Sequence, residues 1–223
     1  MIEHTVLSVI VGSHAYGLDT DESDVDRRGV YVPPTRLFWT FEKPPVSVDG
    51  PEQERLSWEV EHFLSLALKA NPTVLEVLAS DLVETCTPIG SELRDLLPLL
   101  LSQRAADSYR RATAQQFARA SAAMASGGTP RWKQVMHVIR LLTLCDRLLS
   151  TGELVIKVDE HRSQLLAVRD GDVPWKDVVK WVEDLRDRTA RAVLRSPLPA
   201  VPDTAAVEDW LVSVRRRSAL EEL

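Results

Sequence analysis

Asp24 and Asp26 flank one valine at the end of the stretch Val11-Gly-Ser-His-Ala-Tyr-Gly-Leu-Asp-Thr-Asp-Glu-Ser-Asp-Val-Asp26, which continues as Arg27-Arg28-Gly29-Val30. Residues two apart in a strand point to the same face. Both carboxylates are therefore expected to project together from one sheet face. Like charges held that close need a counter-charge, and a hard divalent cation supplies it. Upstream, Gly12 and Ser13 close an apolar run and offer backbone N–H groups and a hydroxyl to phosphate oxygens. A metal beside a phosphate cradle is the chemistry of nucleotides. Under two-metal logic both carboxylates share one ion, and a second ion needs a further carboxylate from a neighbouring strand. Asp-x-Asp alone is common in solvated loops. The strand before it and the Gly-Ser turn at a fixed distance favour the chemical reading.

The elements that must hold these groups follow from periodicity. Thr5–Val11 is a short β-branched apolar run and reads as a buried first strand. Val25–Val32 reads as a second strand stopped by Pro33-Pro34, and residues 52–58 alternate as a third. From Val60 onward the pattern turns helical. Asn71-Pro72 ends one helix and caps the next, Gly127-Gly128-Thr129-Pro130 is a break, and Trp132–Ser150 is a strongly amphipathic helix closed by Gly152. Sheet before residue 60 and helix after it predict an α+β fold: a small mixed sheet with flanking helices, then a C-terminal helical bundle. The corresponding domains are residues 1–103, carrying the site, and 104–223, a helical domain over the cleft.

Bulk properties narrow the classes. The 223 residues are 44% hydrophobic and 27% charged, within the usual range for a soluble globular protein. A formal charge of −6 argues against a generally basic nucleic-acid-coating protein. No apolar run approaches the ~20 residues that span a bilayer, and residues 1–12 lack the pattern of a secretory signal. Cys86 and Cys145 stand in no metal-ligand spacing and read as plain thiols of a reducing cytoplasm. No membrane partner is expected.

The residues also carry a resemblance. Gly12-Ser13-x-Ala15-Tyr16-Gly17, then Ser23-Asp24-x-Asp26-x-Arg28-Gly29-Val30, resembles the signature of the DNA polymerase beta superfamily of nucleotidyltransferases. The RlaP-type branch, linked to RNA repair, is the nearest. Phe63-Leu64-x-Leu66-x-Leu68-Lys69-x-Asn71-Pro72-x-x-Leu75-Glu76 and Lys133-x-x-x-His137-x-x-Arg140-Leu141-Leu142 with Gly152-Glu153-Leu154 are similar to two further blocks of that branch. The similarity runs over about residues 6–170. It implies that Gly12, Ser13 and Ser23 hold the triphosphate of an NTP such as ATP, and that Asp24 and Asp26 bind Mg²⁺, with Mn²⁺ an alternative. The third acidic residue of the superfamily sits on a following strand just ahead of a helix. Glu54 is the best placed here, with Glu52 on the same face as runner-up. Arg27 stands where the branch often has an aromatic residue, and alternation turns it away from Asp26. Arg28 shares the face of Asp26 and either pairs with a carboxylate or touches a phosphate. His14 reads as an exposed histidine at a helix start, and Tyr16 as a packing residue.

Lys133, His137 and Arg140 fall at i, i+4 and i+7 and so line one helix face. Such a stripe is usually solvated surface; the resemblance and spacing together turn it toward nucleotide. Asn71 reads as a cap, Glu76 as a structural hydrogen-bonding group, and Trp175, Trp181 and Trp210 as core. The expected acceptor of the transferred nucleotide is an RNA end, for which Arg104, Arg110, Arg111 and Arg119 form a basic patch. A protein hydroxyl, or a degenerate nucleotide-binding module without transfer, are the other readings.

Overall fold

A computed structural model describes residues 3–50 and 55–221. The chain forms two compact units, residues 1–101 with 202–223, and residues 102–201. In the first, β1 (Thr5–Val11) lies between β2 (Asp26–Tyr31) and β5 (Val83–Cys86), antiparallel to both. On the far side of β2, β4 (Arg55–Glu59) runs parallel to it, and β3 (Ser47–Asp49) closes that edge antiparallel to β4. The fold is α+β with a mixed five-stranded sheet, as the periodicity predicts.

Sheet does not stop at residue 60, however. β5 was not expected, because Val83, Glu84 and Cys86 are exposed and leave no apolar alternation to read. It is held instead by its ladder to β1, as short edge strands are. The strand expected over 52–58 appears as β4, and its first residues lie outside the described part of the chain.

The core of this unit forms where Leu7, Val9 and Val30 meet α2 (Val60–Ala67) and α3 (Pro72–Ala79). Asn71 caps α3 by accepting from the Val74 N–H at 3.4 Å, and Pro72 follows at the first helical position, where its missing donor costs nothing. Thr87 caps α4 (Pro88–Asp95) in the same way, and α5 (Leu97–Leu100) follows.

The second unit is built around α7 (Trp132–Thr151), which packs on α6 (Arg104–Ala125), α8 (Arg162–Asp170) and α9 (Trp175–Val193). Three sides of contact explain why Val135, Val138, Ile139, Leu142, Cys145 and Leu148 are all buried. Phe117 stacks on Trp175 at 5.6 Å, with Trp132 edge-on to Trp175 at 6.2 Å.

The last helix, α10 (Thr204–Glu221), belongs with the first unit, whereas the sequence pattern groups residues 104–223 together. Polar anchors decide its place. The Arg215 guanidinium pairs with Glu59 at 2.6 Å and lies 4.0 Å over the Phe38 ring. Arg217 and Trp210 both reach Glu92 from above α4. Glu59 is 4% exposed and also accepts from the Glu61 and His62 N–H groups as the cap of α2. Removing one partner of a buried pair costs more than the pair contributes, because a charge is stranded. Arg215→Met is expected to lower stability by about 3 kcal/mol in urea denaturation; a loss under about 1 kcal/mol would show that α10 is held by packing alone.

Candidate functional site

The ladder between β1 and β2 ends at the pair Val11↔Asp26. The next residue, Gly12, turns the chain at φ +71°, and a Cβ there would stand 2.4 Å from Asp26 Oδ2. Gly12 is therefore required twice, by its backbone angle and by the carboxylate laid against it. It opens the short helix α1 (Gly12–Tyr16), whose N-terminal N–H groups receive no side-chain cap. Gly17, at φ 70°, ends the helix, and the Leu18 N–H returns to the Ser13 carbonyl at 2.9 Å.

Asp26 is half-buried, and Arg28 lies 3.5 Å away on the same strand face, so Arg28 pairs with a carboxylate. Asp24 does not share the strand. It is exposed and precedes β2, because β1 bends into α1 and offers no ladder beyond Asp26. The loop that carries it is pinned locally. The Thr20 N–H donates to Ser23 Oγ at 2.9 Å, and the His14 ring meets the Ser23 carbonyl at 3.3 Å and faces Asp19 at 3.7 Å. Ser23 thus shapes the loop, and His14 is half-buried rather than exposed.

Beneath α1, the Tyr16 hydroxyl donates to Glu76 Oε2 at 2.5 Å, with both side chains buried. This bond ties the Gly-Ser turn to α3. Arg27 points to the opposite sheet face and pairs with Glu84 of β5 at 2.9 Å. Glu52 and Glu54 lie outside the described residues. Glu59 also stands at a strand end just ahead of a helix, yet it is a poor third carboxylate. It pairs with Tyr31, five positions along β2 and on the other face from Asp26, and it is engaged as a cap and ion-pair partner. Among the described residues, no three His, Cys, Asp or Glu side chains gather closely enough to hold a metal ion.

Lys133, His137 and Arg140 sit on α7 in the second unit, with Lys133 exposed, His137 half-buried and Arg140 3% exposed. Burial pushes the His137 imidazole down to about 4, and the positive charges of Arg140 and Lys133 push the same way.

The profile of RlaP, described as an RNA repair pathway DNA polymerase beta family, matches residues 3–213, and the chain belongs to that family. The family supports a nucleotidyltransferase role. An 81-residue stretch is 36% identical to the uncharacterized protein YcgL of Bacillus subtilis (strain 168). That match takes in 35% of this chain and 31% of YcgL, so it spans about a third of that relative. No solved structure matches the chain. Among the described residues, no helix is long and apolar enough to cross a membrane.

His137 has a lower pKa folded than its ordinary 6.5, so the unfolded chain binds the proton first as pH falls. The stability this neutral imidazole contributes is present above pH 6.5 and is lost as pH falls toward 4. NMR titration is expected to show a His137 ring whose shifts stay flat from pH 8 down to 5.5. Lys133→Ala should move its midpoint upward, and a midpoint near 6.5 in the unaltered protein would contradict the burial argument.

Proposed function

We propose that the protein is a metal-dependent nucleotidyltransferase that moves NMP from an NTP to the hydroxyl of an RNA end. The observation that carries this reading is the Gly12–Asp26 contact, where a turn with uncapped N–H groups and a carboxylate share one corner. Asp24 and Asp26 would hold Mg²⁺, their carboxylate oxygens being the hard donors that it prefers. When bound, Mg²⁺ supplies charge neutralisation at the triphosphate and lowers the cost of forming the attacking oxyanion.

The chain's own groups do the rest. The uncapped N–H groups at Gly12 and Ser13, with the Ser13 hydroxyl, hold triphosphate oxygens. Arg28 holds Asp26 in orientation at 3.5 Å and remains near enough to meet a phosphate. The acceptor hydroxyl attacks the α-phosphorus, its proton passes to a carboxylate or water, and pyrophosphate leaves in line. Glu54 is our choice for the third carboxylate, ahead of Glu52. On α7, exposed Lys133 suits a phosphate contact and His137, neutral at pH 7, a sugar or base, while Arg140, 3% exposed, is held in the core of the second unit. The family's tie to RNA repair favours RNA over a protein acceptor.

Incubation with α-labelled NTP, Mg²⁺ and a pool of RNA ends is expected to label RNA. Asp24→Asn and Asp26→Asn should each reduce that label by about 100-fold or more, as loss of charge stabilisation at a transferring phosphoryl group does. Unchanged labelling in the double variant would refute the mechanism. Gly12→Ala is expected to lose activity by a similar factor, on the order of 100-fold, with a stability cost of about 1–2 kcal/mol from the left-handed backbone. Full activity in Gly12→Ala would show that the turn does not position Asp26.

A further inference from the structure

The second unit carries a two-lobed groove between the C-terminal halves of α7 and α9. The larger lobe, about 580 Å³, is lined by Arg147, Ser150 and Thr151 of α7 and by Lys157 of the following loop. The smaller, about 460 Å³, is lined by Arg188, Arg191 and Arg195. Asp146, Ser150 and Arg188 border both, so the lobes are continuous. Asp146 is neutralised in place by Arg188 at 2.5 Å. Asp159 and Glu160 border only the larger lobe. Among the described residues, Arg147, Lys157, Arg191 and Arg195 enter no ion pair, although elsewhere Arg27, Arg28, Arg110, Arg215 and Arg217 each have a carboxylate.

Arg188 and Arg191 fall at i and i+3 on α9, and Arg195 follows in the turn just past the helix end at Val193. Favourable interaction with a helix C-terminus accounts for Arg191, in the last turn of α9. It does not account for Lys157 on a loop, or for the convergence of two elements on one groove. The hydroxyl of Ser150 adds a donor that suits phosphate or ribose oxygens, while that of Thr151 donates to the Arg147 carbonyl at 2.9 Å. We infer that this groove is the seat of the RNA acceptor's phosphate backbone. The inference rests on the RNA-acceptor reading above and deepens it. It also differs from the patch of Arg104, Arg110, Arg111 and Arg119 expected from sequence, which lies on α6.

The test is Arg191→Gln combined with Arg195→Gln in the full chain, with both changes at exposed positions. Binding of a labelled 20-nucleotide single-stranded RNA is followed by fluorescence anisotropy across salt, beside binding of a fluorescent NTP analogue and NMP transfer to RNA. Affinity for RNA is expected to fall about tenfold or more, and the log–log salt slope to become shallower by about 1.4, for two lost phosphate contacts. NTP binding and the melting temperature should not move. Unchanged RNA affinity and slope, with RNA still labelled, would overturn the seat and leave the RNA-acceptor reading standing. If the unaltered protein binds no RNA and labels only protein in a lysate, the acceptor reading fails and the seat fails with it.

Discussion

The first unit depends on how closely Gly12 approaches the carboxylate of Asp26. The ladder of β1 and β2 ends at Val11↔Asp26, and at that point the chain must turn without a side chain in the way. One constraint thus fixes both a set of exposed backbone N–H groups and an acidic side chain beside them. The turn is braced from below. Asn71 sets the start of α3, α3 places Glu76, and Glu76 accepts from Tyr16 at the end of α1. Moving the turn means breaking a buried hydrogen bond to a carboxylate, among the stronger single interactions a side chain makes.

Alternation along β2 separates chemistry from scaffolding. Asp26, Arg28 and Val30 share the face of β1 that bears Val11, Val9 and Leu7, while Arg27, Gly29 and Tyr31 share the other. On that second face the charges are committed to the fold. Arg27 is paired to Glu84, and Glu59 is capped into α2 and paired to Arg215. Gly29 allows Ser57 to pack at a distance no side chain would tolerate. The first face keeps one cation, Arg28, against Asp26. With Asp24 exposed nearby in sequence, that end of the strand retains net negative charge, the condition under which a divalent cation is favoured.

The mixed fold was legible because β1 and α7 carry strong, unambiguous periodicity, and the caps at Asn71 and Gly152 mark the start of α3 and the end of α7. The family was legible because its motif falls on residues whose types are fixed by backbone geometry, Gly12 above all. Other features were not. β5 has almost no buried side chains, so only its ladder reveals it. The return of α10 to the sheet unit depends on Arg215 and Arg217 finding Glu59 and Glu92 across more than a hundred residues, a pairing no local pattern encodes. Asp24 and Asp26 look equivalent in sequence. They differ in the fold because a strand needs a neighbour, and β1 stops being one at Val11.

The stripe on α7 shows why residue type and spacing alone misstate charge. Written as Lys133, His137 and Arg140, it looks like three titratable cations. Burial and two fixed positive charges act in the same direction on the imidazole, so at neutral pH the stripe is two cations and one neutral ring able to donate or accept a hydrogen bond. An anion arriving beside it would oppose both charges and partly cancel the cost of protonating the ring.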